Sequence, residues 1–492
     1  MVKTLHVTGQ VTIPEADLIA AAEFRPGPDK TLGDLQIMVT NITNFYSERG
    51  YFVARAYLPP QDITDGVVTI AVIEGRYGKI TLDNQTNVSD RVIYSILDGM
   101  NPGDPVNTPP LERRLLLISD LPGVEVKSTL IPGAEVGTSD LVLNVKPGQR
   151  LTGSLEASNW GNAYTGNYLF GGTLNVNEPL GFGDILSLRA LASTTGGLAY
   201  GRVSYQAQLN NFTVGVAYTA LKYRLGRRFE SLDANGTEQI ASVYASYPLI
   251  RSYNTNLNAL VSFEYRTFQD NIGATATTTD RRAEVVMVGL NGEHRDRFGG
   301  GGLSSFYLTG SFGNLEILST AARATDGITA RSNGQYAKLA GSVSRLQNLW
   351  GPFSLYGGVR GQFAGKNLDI SEKMALGGPN AVRAYPEGEA YGDQGYVATL
   401  EARYLVPDWA TIVPGQVQLI AFVDTGHVSL SKSPWFATTN QATRSGAGVG
   451  VNWYPGNGFT VNLGYAHKLG NARATSTPDA PGQFWVRVVK YF

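Results

Sequence analysis

"GRVSYQAQLN" (residues 201–210) alternates with a period of two: Val203, Tyr205, Ala207 and Leu209 fall on one side, and Arg202, Ser204, Gln206, Gln208 and Asn210 on the other. Successive side chains of a strand point to opposite faces, so this reads as a strand with one apolar and one polar face. "LTGSLEASNW" (151–160) does the same, setting Thr152, Ser154, Glu156 and Ser158 opposite Leu151 and Leu155. In "LNALVSFEYRTF" (257–268), Glu264 and Arg266 oppose Val261, Phe263 and Tyr265. From about residue 149 such strands follow one another with no helical pattern between them. A soluble sandwich also alternates, its apolar face then being the core. Strands this many and this long fit better a closed transmembrane barrel, apolar outside and polar inside. Closure leaves no unpaired edge, which a sheet in hydrocarbon requires. Residues 149–492 number 344 (492 − 149 + 1). At roughly 20–22 residues per strand and connection, they make about 16 strands.

Composition agrees with that class. Charged residues are 16% and glycines number 58, and the charge is low for a globular chain. The net charge of -1 argues for no nucleic-acid partner, and the absence of cysteine excludes a disulfide framework. No apolar run reaches the length of a membrane helix. Met1 runs straight into strand-like residues without a signal-peptide pattern, so the expectation is a trimmed form of an exported protein.

The first ~150 residues contain a repeat. "LHVTGQ" (5–10) alternates, and "IPEADLIAAAE" (13–23) has Pro14 and acids where a helix starts. "TLGDLQIMVTNITNFYSERG" (31–50) places Leu32, Leu35, Val39, Ile42 and Tyr46 on one helical face, with Gly50 as the stop. Residues 51–59 and 67–75 read as a hairpin. The order recurs: strand 77–84, helix 87–99, helix 109–121, then strands in "GVEVKSTLIPG" and "TSDLVLNVKPG". Both units are βααββ. The expected division is 1–76 for the first, 77–148 for the second and 149–492 for the barrel.

One barrel segment breaks the alternation. "GGPNAVRAYPEGEAYGDQGY" (377–396) is rich in Gly and Pro, too irregular for a strand, and sets one cation, Arg383, among acids. Further on, "VQLIAFVD" (417–424) puts Gln418 and Asp424 on the lumen face with Ile420 and Phe422. The residues alone leave Arg383 open between a solvated surface position and a role inside. The chain ends in "FWVRVVKYF" (484–492), a strand with Phe484, Val486, Val488 and Phe492 on one face and Lys490 among them. Trp160, Tyr223, Tyr247, Phe268, Trp350, Trp409 and Trp453 lie near strand ends, where aromatic girdles are expected.

Two βααββ modules and a barrel of this size resemble the two-partner secretion transporters, the TpsB family, of the outer-membrane superfamily that includes the BamA- and TamA-type assembly factors. The modules resemble POTRA domains. The family carries a "VRGY/F" core in a long loop folded into the lumen, here expected over 364–396. Val382, Arg383, Tyr385, Glu387, Gly388, Glu389, Gly392, Asp393 and Gly395 match the family's pattern. Ala384 replaces its Gly, and because alanine resists positive φ a difference at the loop tip is expected. A second family motif, "F.D.G", matches Phe422, Asp424 and Gly426. The resemblance places Arg383 in the lumen, where Asp424 is the acid it would meet. It also implies that the terminal strand ending on Phe492 is read by the barrel assembly machinery.

By the same resemblance the function is an outer-membrane pore, periplasmic modules below it, that recognises a large β-helical exoprotein and exports it without ATP. The exoprotein would be an adhesin, a haemolysin or cytolysin, or a contact-dependent toxin. The expected capture edges are the second strand of each module: Phe52, Val53, Ala54, Arg55 and Ala56 in the first, and Val124, Val126 and Ser128 in the second. A monomer in outer-membrane lipid is expected, with no cofactor, no metal and no catalytic residue. An assembly factor that inserts barrels is the nearer alternative, and a passive porin or receptor the further one. "GQFAGKN" (361–367) lacks the spacing and the strand-to-helix setting of a phosphate loop. The histidines at 6, 294, 427 and 467 lack metal-ligand spacing, and no G-x-S-x-G elbow occurs.

Overall fold

The computed structural model describes residues 2–28, 30–63, 65–409 and 414–492. It divides into two units: 1–149 with 180–183 and 251–253, and the remainder through residue 492.

The first unit holds two three-stranded sheets, each covered by two helices. In the first sheet Thr4–Thr8 pairs in parallel with Val67–Ile73, which pairs antiparallel with Arg55–Tyr57. The last strand is therefore central. Its alternate residues Val68, Ile70 and Val72 are buried beneath the helices. Helix Leu32–Glu48 begins in a capping box: the Asp34 N–H donates to Thr31 Oγ1, and Asp34 Oδ2 accepts from the Thr31 N–H. It stops at Gly50, whose φ of +90° suits glycine. The buried face is Leu35, Met38, Ile42 and Tyr46. Leu32 stays exposed, because it opens the helix beyond the end of the packed face. The second sheet repeats the order, with Arg76–Asn84 and Val124–Pro132 flanking Thr138–Pro147. Its helices Asp90–Leu97 and Thr108–Ser119 bury Ile93, Ile96, Leu117 and Ile118.

One strand is shorter than its pattern implies. Phe52, Val53 and Ala54 are not strand residues, and only Arg55–Tyr57 pairs. The Ala54 N–H donates to the Tyr51 carbonyl at 3.1 Å, which closes a turn, and Ala54 is fully buried. Residues 52–54 therefore present no edge for another chain to pair with.

The second unit is a closed antiparallel barrel of sixteen strands, from Leu151–Ser158 to Gly482–Tyr491. The last strand closes on the first, from Arg487 opposite Ser158 to Tyr491 opposite Ser154. Two further bonds, Gly153 N–H to Phe492 carbonyl and Phe492 N–H to Gly153 carbonyl, extend the seam. Leu155, Val203, Val216, Val243, Phe263 and Val288 are exposed on the outer face, a display of apolar surface that lipid explains and water does not. Phe484 and Phe492 share that outer exposure. Between them Lys490 bends its ammonium to the Asn457 carbonyl and over the Phe459 ring, keeping its charge out of hydrocarbon.

Three local expectations change. Tyr223 and Phe268 point inward and are not girdle residues: the Tyr223 hydroxyl donates to Asp270 at 2.6 Å, and Phe268 is buried beneath the Arg281 guanidinium. Each shares strand parity with the polar side, which overrides its aromatic character. A helix, Thr320–Ile328, interrupts the run of strands in the connection after Gly302–Ile317.

Candidate functional site: the loop inside the barrel

Two strands, Phe353–Ala364 and Gln394–Leu405, are neighbours in the barrel. The residues between them, 365–393, leave the wall and fold back against its inner face. A short ladder of Met374–Ala375 with Tyr391–Gly392 draws the segment into a hairpin. Its tip forms an apolar cluster in which Leu376, Ala381, Val382, Ala384 and Tyr385 pack on the wall residues Val397, Phe422, Val428 and Ala466.

Arg383 sits at that tip. Its Nε and Nη2 donate to the two oxygens of Asp424, each at 2.8 Å, and its backbone N–H donates to Asp424 Oδ2 at 3.1 Å. Asp424 has no exposed surface and also accepts from Thr399 Oγ1 at 2.9 Å. The remaining guanidinium nitrogen donates to Glu401 at 2.7 Å, and Glu401 is balanced in turn by Arg403. The guanidinium lies 3.4 Å from the centre of the Phe422 ring. The Arg383 carbonyl accepts from the Trp485 indole N–H at 2.7 Å, so the tip also touches the last strand. A lysine has neither the fork nor the flat face for this combination.

The acids of the loop have separate partners. Glu389, fully buried, accepts from Arg444 at 2.6 Å and from the backbone N–H groups of Thr475 and Ser476 at 2.8 and 2.9 Å. Tyr385, also buried, donates to the Ala472 carbonyl at 2.8 Å. The connection 469–481 therefore covers the loop tip from the other side. Asp393 accepts from Lys373 at 2.8 Å and from the Lys432 N–H at 2.7 Å. The Glu387 carboxylate sits against Gly378, and its carbonyl accepts from Asn162 at 2.9 Å. Gly388 has a φ of +83°. Gly392 and Gly395 face Val428 and the His427 carbonyl so closely that a Cβ would clash, as a Cβ at Gly426 would with Leu376.

Ala384 does not adopt positive φ, so the freedom of a glycine is not used there. Its methyl group is instead buried against Gly446, where an added Cβ would fall 2.4 Å away.

The stem of the loop is held elsewhere, by residues the sequence reading did not single out. Glu372 is 4% exposed and accepts from Lys338 at 2.6 Å, Arg266 at 2.5 Å and the Tyr336 hydroxyl at 2.7 Å. Asp369 pairs with Arg281. Glu401 and Arg266 carried a usable signal, since each falls on the inward parity of its strand. Arg444 carried the same signal, on the inward face it shares with Gly446, whereas Thr475 and Ser476 carried none, because they lie in a connection without periodicity.

The chain matches the family model "Haemolysin secretion/activation protein ShlB/FhaC/HecB" over residues 137–453, and the model "POTRA domain, ShlB-type" over residues 1–75. It belongs to the ShlB/FhaC/HecB family, the two-partner secretion transporters. Members of this family are outer-membrane transporters with periplasmic POTRA modules, and so is this chain. Among its relatives is the heme/hemopexin transporter protein HuxB of Haemophilus influenzae strain 86-028NP, 29% identical over 95% of this chain and 82% of the relative. Another is the outer membrane transporter CdiB of Dickeya dadantii, 26% identical over 85% of this chain and 74% of the relative. The solved structure of CdiB from Escherichia coli superimposes with a TM-score of 0.79 at 21% identity, covering all of this chain and 90% of the other. BamA from Haemophilus ducreyi lacking POTRA domains 1–3 superimposes at 0.58 and 16% identity over the whole of both chains. These two likenesses speak for the fold alone.

Proposed function

We propose that this transporter exports one large exoprotein, of adhesin, haemolysin or contact-dependent toxin type, captured in the periplasm by its POTRA modules. The reading rests on one observation: each βααββ sheet ends in a strand whose outer edge faces no other strand of its sheet, and the one in the second module, Val124–Pro132, is nine residues long. An extended chain can add to such an edge by main-chain hydrogen bonds. Val124, Val126 and Ser128 lie on it, with Arg55 and Ala56 on the short counterpart in the first module. The relatives' names point to the cargo classes: heme/hemopexin for HuxB, and haemolysin for the hemolysin transporter protein HpmB of Proteus mirabilis. Folding of the exoprotein outside makes return unfavourable by mass action, so transport proceeds without ATP.

The pinned loop is the second element of the proposal. Arg383 and Asp424 hold it in the geometry that transport needs, while the terminal strand ending on Phe492 directs assembly of a monomeric barrel. The test is deletion of residues 1–148 in cells expressing the exoprotein. The shortened barrel should still insert but leave the exoprotein in the periplasm. Normal export by that variant would overturn the assignment of capture to the modules.

A further inference from the structure

The bend of the loop leaves a polar cavity against the barrel wall. In the strand Phe353–Ala364, Phe353, Leu355, Val359 and Phe363 are exposed outside, so Tyr356, Gly358, Arg360 and Gln362 point into the lumen by parity. Register sets Ser342, Arg360 and Val397 in one row across three neighbouring strands, and Ser344, Gly358 and Thr399 in the next. The loop residues Pro379, Asn380 and Ala381 face these rows across a cavity of about 410 Å³. Gly358 makes room in it: a Cβ there would fall 2.9 Å from the Tyr356 hydroxyl, which lies over the glycine.

Three guanidiniums line this cavity, those of Arg360, Arg383 and Arg403, with a single carboxylate, Glu401. Two of the three are committed. Arg383 is held by Asp424 and by Glu401 Oε1, and Arg403 donates through Nε and Nη2 to Glu401 Oε2 at 2.8 and 2.6 Å. Both oxygens of Glu401 are thereby used. Arg360 differs. Among the described residues it has no hydrogen bond and no ion pair, and its Nε is enclosed without an acceptor. Glu387 lines a neighbouring cavity of about 350 Å³ that Arg360 also borders, yet the two form no ion pair. An enclosed donor without an acceptor costs free energy, more so when it is charged.

We infer that this cavity is a binding site for a small oxyanion, a phosphate or a carboxylate, centred on Arg360. The planar guanidinium presents two parallel donors that match two oxygens of either group. The hydroxyls of Ser342 and Ser344 and the amide of Asn380 line the same cavity and add uncharged donors. A cation is opposed there by three guanidiniums, and an apolar ligand would leave the donors unpaired. The anion touches the wall through Arg360 and the loop through Asn380, so it holds the bend at a point separate from the Arg383–Asp424 pair. The inference goes beyond the export function and does not rest on it.

Full-length protein in detergent would be titrated calorimetrically with sodium phosphate and, separately, with sodium acetate, at an ionic strength fixed by sodium chloride. One saturable site is expected. Saturation by phosphate alone assigns it to phosphates, and saturation by acetate to carboxylates. Arg360→Gln should weaken that binding at least about tenfold, because the charged hydrogen bonds of the fork are lost. Arg360→Lys keeps the charge without the fork and should weaken it less, and Glu387→Gln, which removes a like charge, should tighten it. At ten times its dissociation constant the anion should slow trypsin cleavage within 365–393 by about tenfold, an effect absent from Arg360→Gln. Absence of saturable binding by either anion would overturn the site. So would undiminished binding by an Arg360→Gln protein that still runs as a heat-modifiable barrel. Saturable binding with no slowing of cleavage would overturn the bridge to the loop.

Discussion

Arg383 and Asp424 stand 41 positions apart and meet through two parallel side-chain bonds of 2.8 Å each. A third bond runs from the Arg383 backbone N–H. The carboxylate is fully enclosed, whereas the arginine side chain keeps 17% of its surface. Losing the arginine therefore strands a buried charge, and losing the aspartate leaves a cation that Glu401 still partly balances.

Arg383→Ala should reduce export sharply while the protein remains in the outer membrane, and Asp424→Ala should do so less severely. Breaking a buried pair on one side costs about 3–5 kcal/mol, and the wetter lumen brings this to ~1–3 kcal/mol. The double alanine variant should be little worse than Arg383→Ala, because one interaction is lost once. Strictly additive defects in an export assay would show that the loop is not held through this pair.

Glu372→Gln should loosen the stem without touching the tip. The expected sign is faster trypsin cleavage within 365–393, where Lys373 and Arg383 offer sites. Among the described residues stem and tip share no bonding residue, so Glu372→Gln combined with Arg383→Ala should add within about 0.5 kcal/mol in the opening free energy. Mass mapping of the fragments checks both statements.

Gly446→Ala should displace the loop tip, because its Cβ would fall 2.4 Å from that of Ala384. Ala384→Gly alone should be mild, at roughly 1 kcal/mol or less. The combination Gly446→Ala with Ala384→Gly should recover most of the thermal stability lost by Gly446→Ala. Absence of recovery in heat-modifiability gels would show that the two residues are not in contact.

Acid should weaken the first module through Glu74. Burial opposes its ionisation, but hydrogen bonds from the Thr12 and Val11 N–H groups, the Thr12 hydroxyl and Tyr46 outweigh it and hold the carboxyl below the ordinary glutamate range. A depressed carboxyl contributes stability that is fully present above the unfolded value and is lost as pH falls through the folded one. Burial, and then the charge of Glu74, pushes the Tyr46 hydroxyl up, so it remains a donor throughout. Hydrogen-exchange protection of the Val11 and Thr12 amides should fall below the ordinary glutamate range. In Glu74→Gln it should be lower at neutral pH and flat with acid.

Period-two alternation determined the barrel and the side each strand residue faces, because side-chain direction in a strand depends on nothing beyond the next residue. "GRVSYQAQLN" needed no partner to show which side is polar, and Asp424 was inward by the same rule. The helix in the first module is legible as an element, yet its buried face takes in Met38, which the spacing leaves out, and excludes Leu32, because what packs on a helix is set by the sheet beneath it. Phe52–Ala54 read as strand by composition, while a backbone turn at Tyr51 decided otherwise. Tyr223 and Phe268 followed parity and not aromatic character. What the chain alone did not contain was the geometry of the loop. Arg383 could be matched to Asp424 through the family's motifs, but the Glu389 partners Arg444, Thr475 and Ser476 and the Glu372 partners Arg266, Tyr336 and Lys338 come from separate strands and a separate connection. Those contacts exist only once the barrel has closed and brought distant wall positions around one folded-back segment. A long-range contact leaves no periodic trace in the sequence, and for that reason only the tertiary structure decided how the loop is held.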